Sequence, residues 1–223
     1  MDARGRGPPR EPGQVLNVAK FLSPFFLTCM VYFLLWIPED PPSPLGALVK
    51  CLPVLSLAAG LWARAPSGCY TTLLQGGLLC SAVGDVCLIW PEAFLHGMAA
   101  FAVAHLLYLA AFGFSPLRLA TLLPITLVSS LYFSLLLPHL PADMTLPVAV
   151  YAFLLAAVLW RGLARGGSAR LGGLLFIISD AVLAWDTFAQ PLPHSRLVVM
   201  TTYYAAQVCF AVSAICSPRH KTS

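Results

Sequence analysis

Charge is scarce in this chain. Asp, Glu, Lys and Arg supply 10% of its 223 residues, and 59% of the chain is hydrophobic. Soluble domains carry about a quarter charged residues, so few charges cannot clothe a water-exposed surface and the chain is read as an integral membrane protein. The basic residues form no single run or face, which removes nucleic acid as a partner. Metal-ligand spacings are also missing. The five histidines (His96, His105, His139, His194, His220) show neither His-x-x-x-His nor His-Glu-x-x-His. Seven cysteines are scattered without a Cys-x-x-Cys pair or a paired framework, and read as small apolar packing residues. No Gly-x-Ser-x-Gly elbow and no phosphate-cradling glycine loop occurs. Spacing therefore forces no metal site; a metal would need His105 and aspartates gathered by the fold.

Long apolar runs are what the chain does have. Spans need about 20 apolar residues, and eight runs qualify, roughly 21–37, 45–62, 71–90, 93–113, 117–137, 145–161, 170–189 and 195–216. The fold class is an all-α integral membrane protein with eight transmembrane helices. The sixth run is as short as any, and Pro147 near its start reads as a break. Residues 1–20 form a cytosolic tail without fixed structure, 21–216 a single membrane domain, and 217–223 a cytosolic tail. The connections are too short to hold a soluble domain, so any active site must be built from the helices.

The charges sort by side. Arg4, Arg6, Arg10, Lys20, Arg64, Arg118, Arg161, Arg165, Arg170, Arg219 and Lys221 fall on one side of an eight-span arrangement. The opposite loops hold Glu39, Asp40, Glu92 and Asp143, with Lys50 and Arg196 as the basic exceptions. Both termini are then cytosolic. The first run is followed by Pro38-Glu39-Asp40-Pro41-Pro42 and not by a small-residue cleavage site, so it reads as a retained span. The tail Arg219-His220-Lys221 resembles a dibasic retrieval signal, which points to the endoplasmic reticulum.

Two aspartates stand inside these runs in matching frames. Gly84-Asp85-Val86-Cys87-Leu88-Ile89-Trp90 and Ser179-Asp180-Ala181-Val182-Leu183-Ala184-Trp185 both read small residue, Asp, two residues, Leu, one residue, Trp. A carboxylate at membrane depth costs roughly 2.5–3.5 kcal/mol on insertion scales and usually faces an internal cavity. At an offset of 95 residues Gly77 also matches Gly172, Leu79 Leu174, Tyr108 Tyr203 and Ala111 Ala206. This points to two four-helix halves related as a parallel repeat; the competing reading is chance similarity between Leu-rich segments. The two aspartate stripes are expected to face each other across the bundle.

Few other polar groups lie at this depth: Lys50 near the non-cytosolic end of the second run, His105 and Tyr108 in the fourth, and Tyr203, Tyr204 and Gln207 in the eighth. Each has a structural reading beside the functional one. Lys50 could snorkel to the interface, His105 could be an interhelical hydrogen-bonder, and Tyr204 could bond a backbone carbonyl. Asp186 could partner Arg196 at a helix end. Trp36, Trp90 and Trp185 read as interfacial anchors.

Two carboxyls in a low-dielectric site can hold one proton between them and supply a general acid and a general base. That suits a reaction that needs protonation and water activation through an oxocarbenium-like state, of which glycoside hydrolysis is the familiar case. A transporter using intramembrane carboxyls is the runner-up. A metal-dependent lipid hydrolase using His105 with the aspartates is a third reading.

The segments Gly84–Trp90, Ser179–Asp186 and Tyr203-Tyr204-Ala205-Ala206-Gln207 resemble the lysoplasmalogenase family of small multispanning proteins. The resemblance covers nearly the whole chain after the N-terminal tail. It implies hydrolysis of the vinyl ether bond of lysoplasmenylcholine and lysoplasmenylethanolamine, giving a fatty aldehyde and glycerophosphocholine or glycerophosphoethanolamine, without cofactor or metal. The family's acidic positions fall on Asp85 and Asp180 and its membrane-embedded lysine on Lys50, here in Lys-x-x-Pro. Read this way, Asp85 and Asp180 are catalytic and Lys50 binds the substrate phosphate. His105, Tyr108, Tyr203, Tyr204, Gln207 and Asp186 support or orient them. The implied partners are the lysoplasmalogen substrate and membrane lipids; a homodimer is left open.

Overall fold

The structure, a computed structural model, describes residues 12–65 and 68–216. Eight α-helices run through them: α1 (Pro12–Leu35), α2 (Pro44–Arg64), α3 (Cys69–Cys87), α4 (Phe94–Phe112), α5 (Leu119–Leu136), α6 (Ala142–Arg165), α7 (Gly167–Phe188) and α8 (Ser195–Ile215). Short 3₁₀ turns precede α4 and follow α5, and no strand occurs among the described residues. The expected retrieval tail and the basic residues Arg4, Arg6 and Arg10 lie outside the described residues.

Seven helices are long and apolar enough to cross a membrane; α3 is not among them. Its polar content explains this. Thr71, Thr72, Gln75, Ser81 and Asp85 all fall on α3, and of these Ser81 and Asp85 are buried against protein. Two boundaries differ from the sequence expectation. The first helix begins at Pro12, inside the segment expected to lack structure. The sixth helix runs 24 residues through Pro147 with no break. Pro147 removes one backbone donor only a turn into the helix, where the freed carbonyl is close to the solvated end.

Local chemistry sets the ends. Ser43 caps α2 by accepting a 3.0 Å hydrogen bond from the Gly46 amide, with Pro44 at the first helical position. Gly166, at φ +79°, stops α6 and starts α7 directly, a left-handed turn that a side chain would strain. At the same end of the bundle Arg161 is fully buried and donates to the Gly113 and Pro116 carbonyls, pinning the α4–α5 connection.

The closest helix pairs are α3 with α4 and α7 with α8. α2 packs on α1, α3 and α8; α6 packs on α4, α5 and α7. Close approach rests on glycine. A Cβ on Gly77 would stand 2.2 Å from the Tyr108 ring, and one on Gly84 would stand 2.5 Å from Phe101. α5 is the peripheral helix; Leu123, Leu127, Val128 and Leu131 are exposed on it, as a lipid-facing helix requires.

Candidate active site

Asp85 is 2% exposed on α3, and Tyr203 of α8 donates a 2.8 Å hydrogen bond to its Oδ2. One turn on, the Gln207 Oε1 accepts a 2.7 Å bond from the Tyr108 hydroxyl, which lies 3.3 Å from the Ser81 Oγ. These groups form one buried polar cluster across α3, α4 and α8. The Gln207 amide nitrogen is buried without a hydrogen-bond partner. Lys50 on α2 is buried and its charge acts on Asp85. No ion pair within 4.0 Å forms at Lys50 among the described residues. Tyr204 donates a 2.7 Å bond to the Lys50 backbone carbonyl, fixing α8 against α2. This backbone bond is the contact that the structural reading of Tyr204 names.

Asp180 occupies a different setting. Tyr151 of α6 donates a 2.6 Å hydrogen bond to its Oδ2. Both line a cavity of about 270 Å³ between α4, α5, α6 and α7, walled chiefly by apolar side chains such as Phe101, Val128, Leu155 and Ile177. Tyr132 also lines it and donates a 2.6 Å bond to the Ala181 carbonyl, bracing α5 against α7 beside the aspartate. Tyr151 was absent from the polar groups singled out in the sequence. A tyrosine hydroxyl at mid-span needs a partner when buried, and that is the signal that could have found it.

The aspartate stripes do not meet as expected. α3 packs on α2, α4 and α8, whereas α7 packs on α6 and α8, and the two carboxylates share no hydrogen-bonding partner. Sequence periodicity assigns a face to a helix but not the neighbour that the face meets. A chain of ring contacts links the two sites. Tyr203 packs on Phe176 with centroids 5.6 Å apart, Phe176 on His105 at 4.7 Å, and His105 on Tyr151 at 5.2 Å. Phe101 both lines the Asp180 cavity and packs on Tyr203 at 5.8 Å.

His105 joins neither carboxylate by a hydrogen bond. Its Nδ1 lies 2.7 Å from the Phe101 carbonyl, and its Nε2 is buried without a partner. Among the described residues no three His, Cys, Asp or Glu side chains gather as metal ligands would. Asp186 accepts a 2.7 Å bond from the Leu192 amide, so it braces the α7–α8 turn and does not partner Arg196. Arg196 instead pairs with Glu39 at 3.2 Å and donates a 3.1 Å bond to the Tyr32 hydroxyl. The polar partners of the aspartates do not follow the 95-residue offset either, since Tyr108, the match of Tyr203, bonds Gln207.

The sequence profile of the YhhN family matches residues 45–214, a segment that contains Lys50, Asp85, His105, Tyr151, Asp180 and Tyr203. The chain belongs to the YhhN family. Its relatives include the lysoplasmalogenase TMEM86B of Homo sapiens, 66% identical over 92% of this chain and 91% of that protein. The lysoplasmalogenase TMEM86B of Sus scrofa is 61% identical over 99% of both chains. The lysoplasmalogenase TMEM86A of Bos taurus is 42% identical over 87% of this YhhN chain and 88% of its own. No solved structure matches the chain. The family resemblance read from Gly84–Trp90 and Ser179–Asp186 is thereby borne out.

Proposed function

We propose that this YhhN protein is a lysoplasmalogenase, hydrolysing the vinyl ether bond of membrane lysoplasmenylcholine and lysoplasmenylethanolamine. Relatives bearing that name cover nearly the whole chain. The observation that carries the reading is the tyrosine-held Asp180 in the wall of an apolar cavity between α4, α5, α6 and α7. Its volume of about 270 Å³ is near the lower bound of small-ligand pockets, roughly 300 Å³, and suits part of an alkenyl chain.

The chemistry uses two protons and one water. A carboxylic acid protonates the β-carbon of the alkenyl ether, and the double bond's electrons shift to leave an oxocarbenium ion. A carboxylate takes a proton from water as the oxygen adds to the α-carbon. The hemiacetal then collapses, its hydroxyl proton passing to the ether oxygen, to give an aldehyde and an alcohol. We assign protonation to Asp180, because the alkenyl carbons belong in the apolar cavity that it lines. Asp85, held by Tyr203 beside Lys50, is assigned to the water and glycerol side. Tyr108 and Gln207 orient Tyr203's surroundings through their mutual bond. Lys50, a buried cation without an ion pair among the described residues, is assigned to the substrate phosphate. Phe101 borders both sites, lining the Asp180 cavity and packing on Tyr203.

α3 is proposed as an eighth span and both termini as cytosolic, in an endoplasmic reticulum membrane, on the charge distribution alone. Protease protection of tags at each terminus tests that orientation. The purified protein in liposomes should release fatty aldehyde in proportion to the lysoplasmalogen consumed. Movement of intact lipid across the bilayer without aldehyde would instead favour a transporter.

A further inference from the structure

The cavity beside Asp180 has walls of two kinds. On the α4 and α6 side, Phe101, Val148 and Leu155 line it and are themselves buried. On the α5 and α7 side, Val128 and Ile178 line it and are also 68% and 46% exposed. A side chain that borders the cavity and is exposed as well makes a wall one side chain thick. Behind it Asp180 is only half-buried, whereas Asp85 is 2% exposed. The helix that carries Val128 is also loosely held. α5 packs chiefly on α6 and is the least buried of the seven helices long and apolar enough to cross a membrane. Two ties reach from it to α7. Ile125 joins Ala156 and Leu159 in a small apolar cluster on which Ile177 packs. Tyr132 donates its 2.6 Å hydrogen bond to the Ala181 carbonyl. Ile125 and Tyr132 stand two turns apart, so about 10 Å of α5 lies between the ties. Val128 falls inside that interval.

We propose that this interval between α5 and α7 is a lateral portal, through which the hydrocarbon chain of a membrane lipid passes sideways from the bilayer into the Asp180 cavity. The inference rests on the lysoplasmalogenase reading for the identity of the lipid and goes beyond it in assigning the route. The approach to the portal is apolar on both sides. Leu127 and Leu131 are exposed on α5, and Leu171 and Leu174 on α7. A hydrocarbon chain crossing there exchanges lipid neighbours for apolar side chains, and the helical backbones on either side keep their own hydrogen bonds. A charged head group has no polar partner along that path and stays outside it. The chain therefore reaches Asp180 through the thin wall, and a fatty aldehyde formed there has the same way back to the bilayer.

The test is the order in which the portal is closed and the lipid is added. The full-length protein carrying Val128→Cys and Ile178→Cys is placed in phosphatidylcholine liposomes, and a short bifunctional thiol reagent bridges the two positions. The probe is a 1-alkyl lysophosphatidylcholine with a diazirine in its chain, which has no vinyl ether to hydrolyse. Photolabel on the buried Val148 and Leu155 reports a chain inside the cavity. Bridging before the lipid is added should abolish that label. Bridging after the lipid is added should keep it, and an excess of unlabelled lysolipid should then fail to chase it out. A linker that merely filled the cavity would lower the label in both orders. Val128→Trp narrows the gap without a linker and should also lose the label. Leu131→Trp, exposed on α5 but outside the cavity wall, should retain it. Equal labelling in the two orders, or the same loss in the singly substituted cysteine proteins, would overturn the portal. Aldehyde release from the matching alkenyl lipid by the unbridged protein is measured in parallel. Its absence with the order dependence intact would strike the hydrolase reading and leave the portal standing.

Discussion

Tyr151 donates a 2.6 Å hydrogen bond to the Asp180 carboxylate at the wall of the apolar cavity. The bond fixes which oxygen is held and which is free to meet a substrate carbon. Hydrogen bonds to charged or proton-sharing groups are worth about 1.5–3 kcal/mol. Tyr151→Phe should therefore lower kcat about 10- to 100-fold while leaving the cavity's shape unchanged. Steady-state aldehyde release checks this; an unchanged kcat would remove Tyr151 from the mechanism.

Lys50 offers a separate handle, because Tyr204 holds its backbone carbonyl and not its side chain. Lys50→Met should leave α2 in place and raise KM about tenfold, with kcat within a few-fold of wild type. An unaltered KM in the same assay would discard the phosphate role.

The cavity makes a prediction about chain length. Ala152 lines it, so Ala152→Phe should fill part of its volume of about 270 Å³. KM should then rise more for long alkenyl chains than for short ones, measured over a chain-length series. A uniform change across the series would separate the tail from this cavity.

Gly84 tests the packing that joins the two sites. A Cβ there would stand 2.5 Å from the Phe101 ring, which also packs on Tyr203. Overpacking of this kind costs about 1–3 kcal/mol. Gly84→Ala should lower the thermal midpoint in detergent, and a midpoint equal to wild type would contradict the tight α3–α4 contact.

Much of this architecture was legible in the sequence, and the limits have physical causes. The helices follow from apolar runs, and Asp85 and Asp180 stand out because ionisable residues are costly among them. Pro147 misled, because a proline one turn into a helix costs little more than a capping defect. Tyr151 was hidden by the strong apolarity of its own segment. The separation of the aspartates was hidden for another reason: a helical stripe says which residues share a face, while α8 and the Phe101–Phe176 rings decide what that face meets. Lys50 and Arg196 were visible as breaks in the charge pattern, yet only the fold brings them to one notch.

The central claim is that Asp85 and Asp180 together hydrolyse the vinyl ether. It is tested most directly by aldehyde release from lysoplasmenylethanolamine by Asp85→Asn and Asp180→Asn, each purified and shown to be monodisperse. Loss of a positioned acid or base removes about 10²–10⁴-fold in rate, so both variants should fall by at least that lower factor. Wild-type rates from both folded variants would contradict the account.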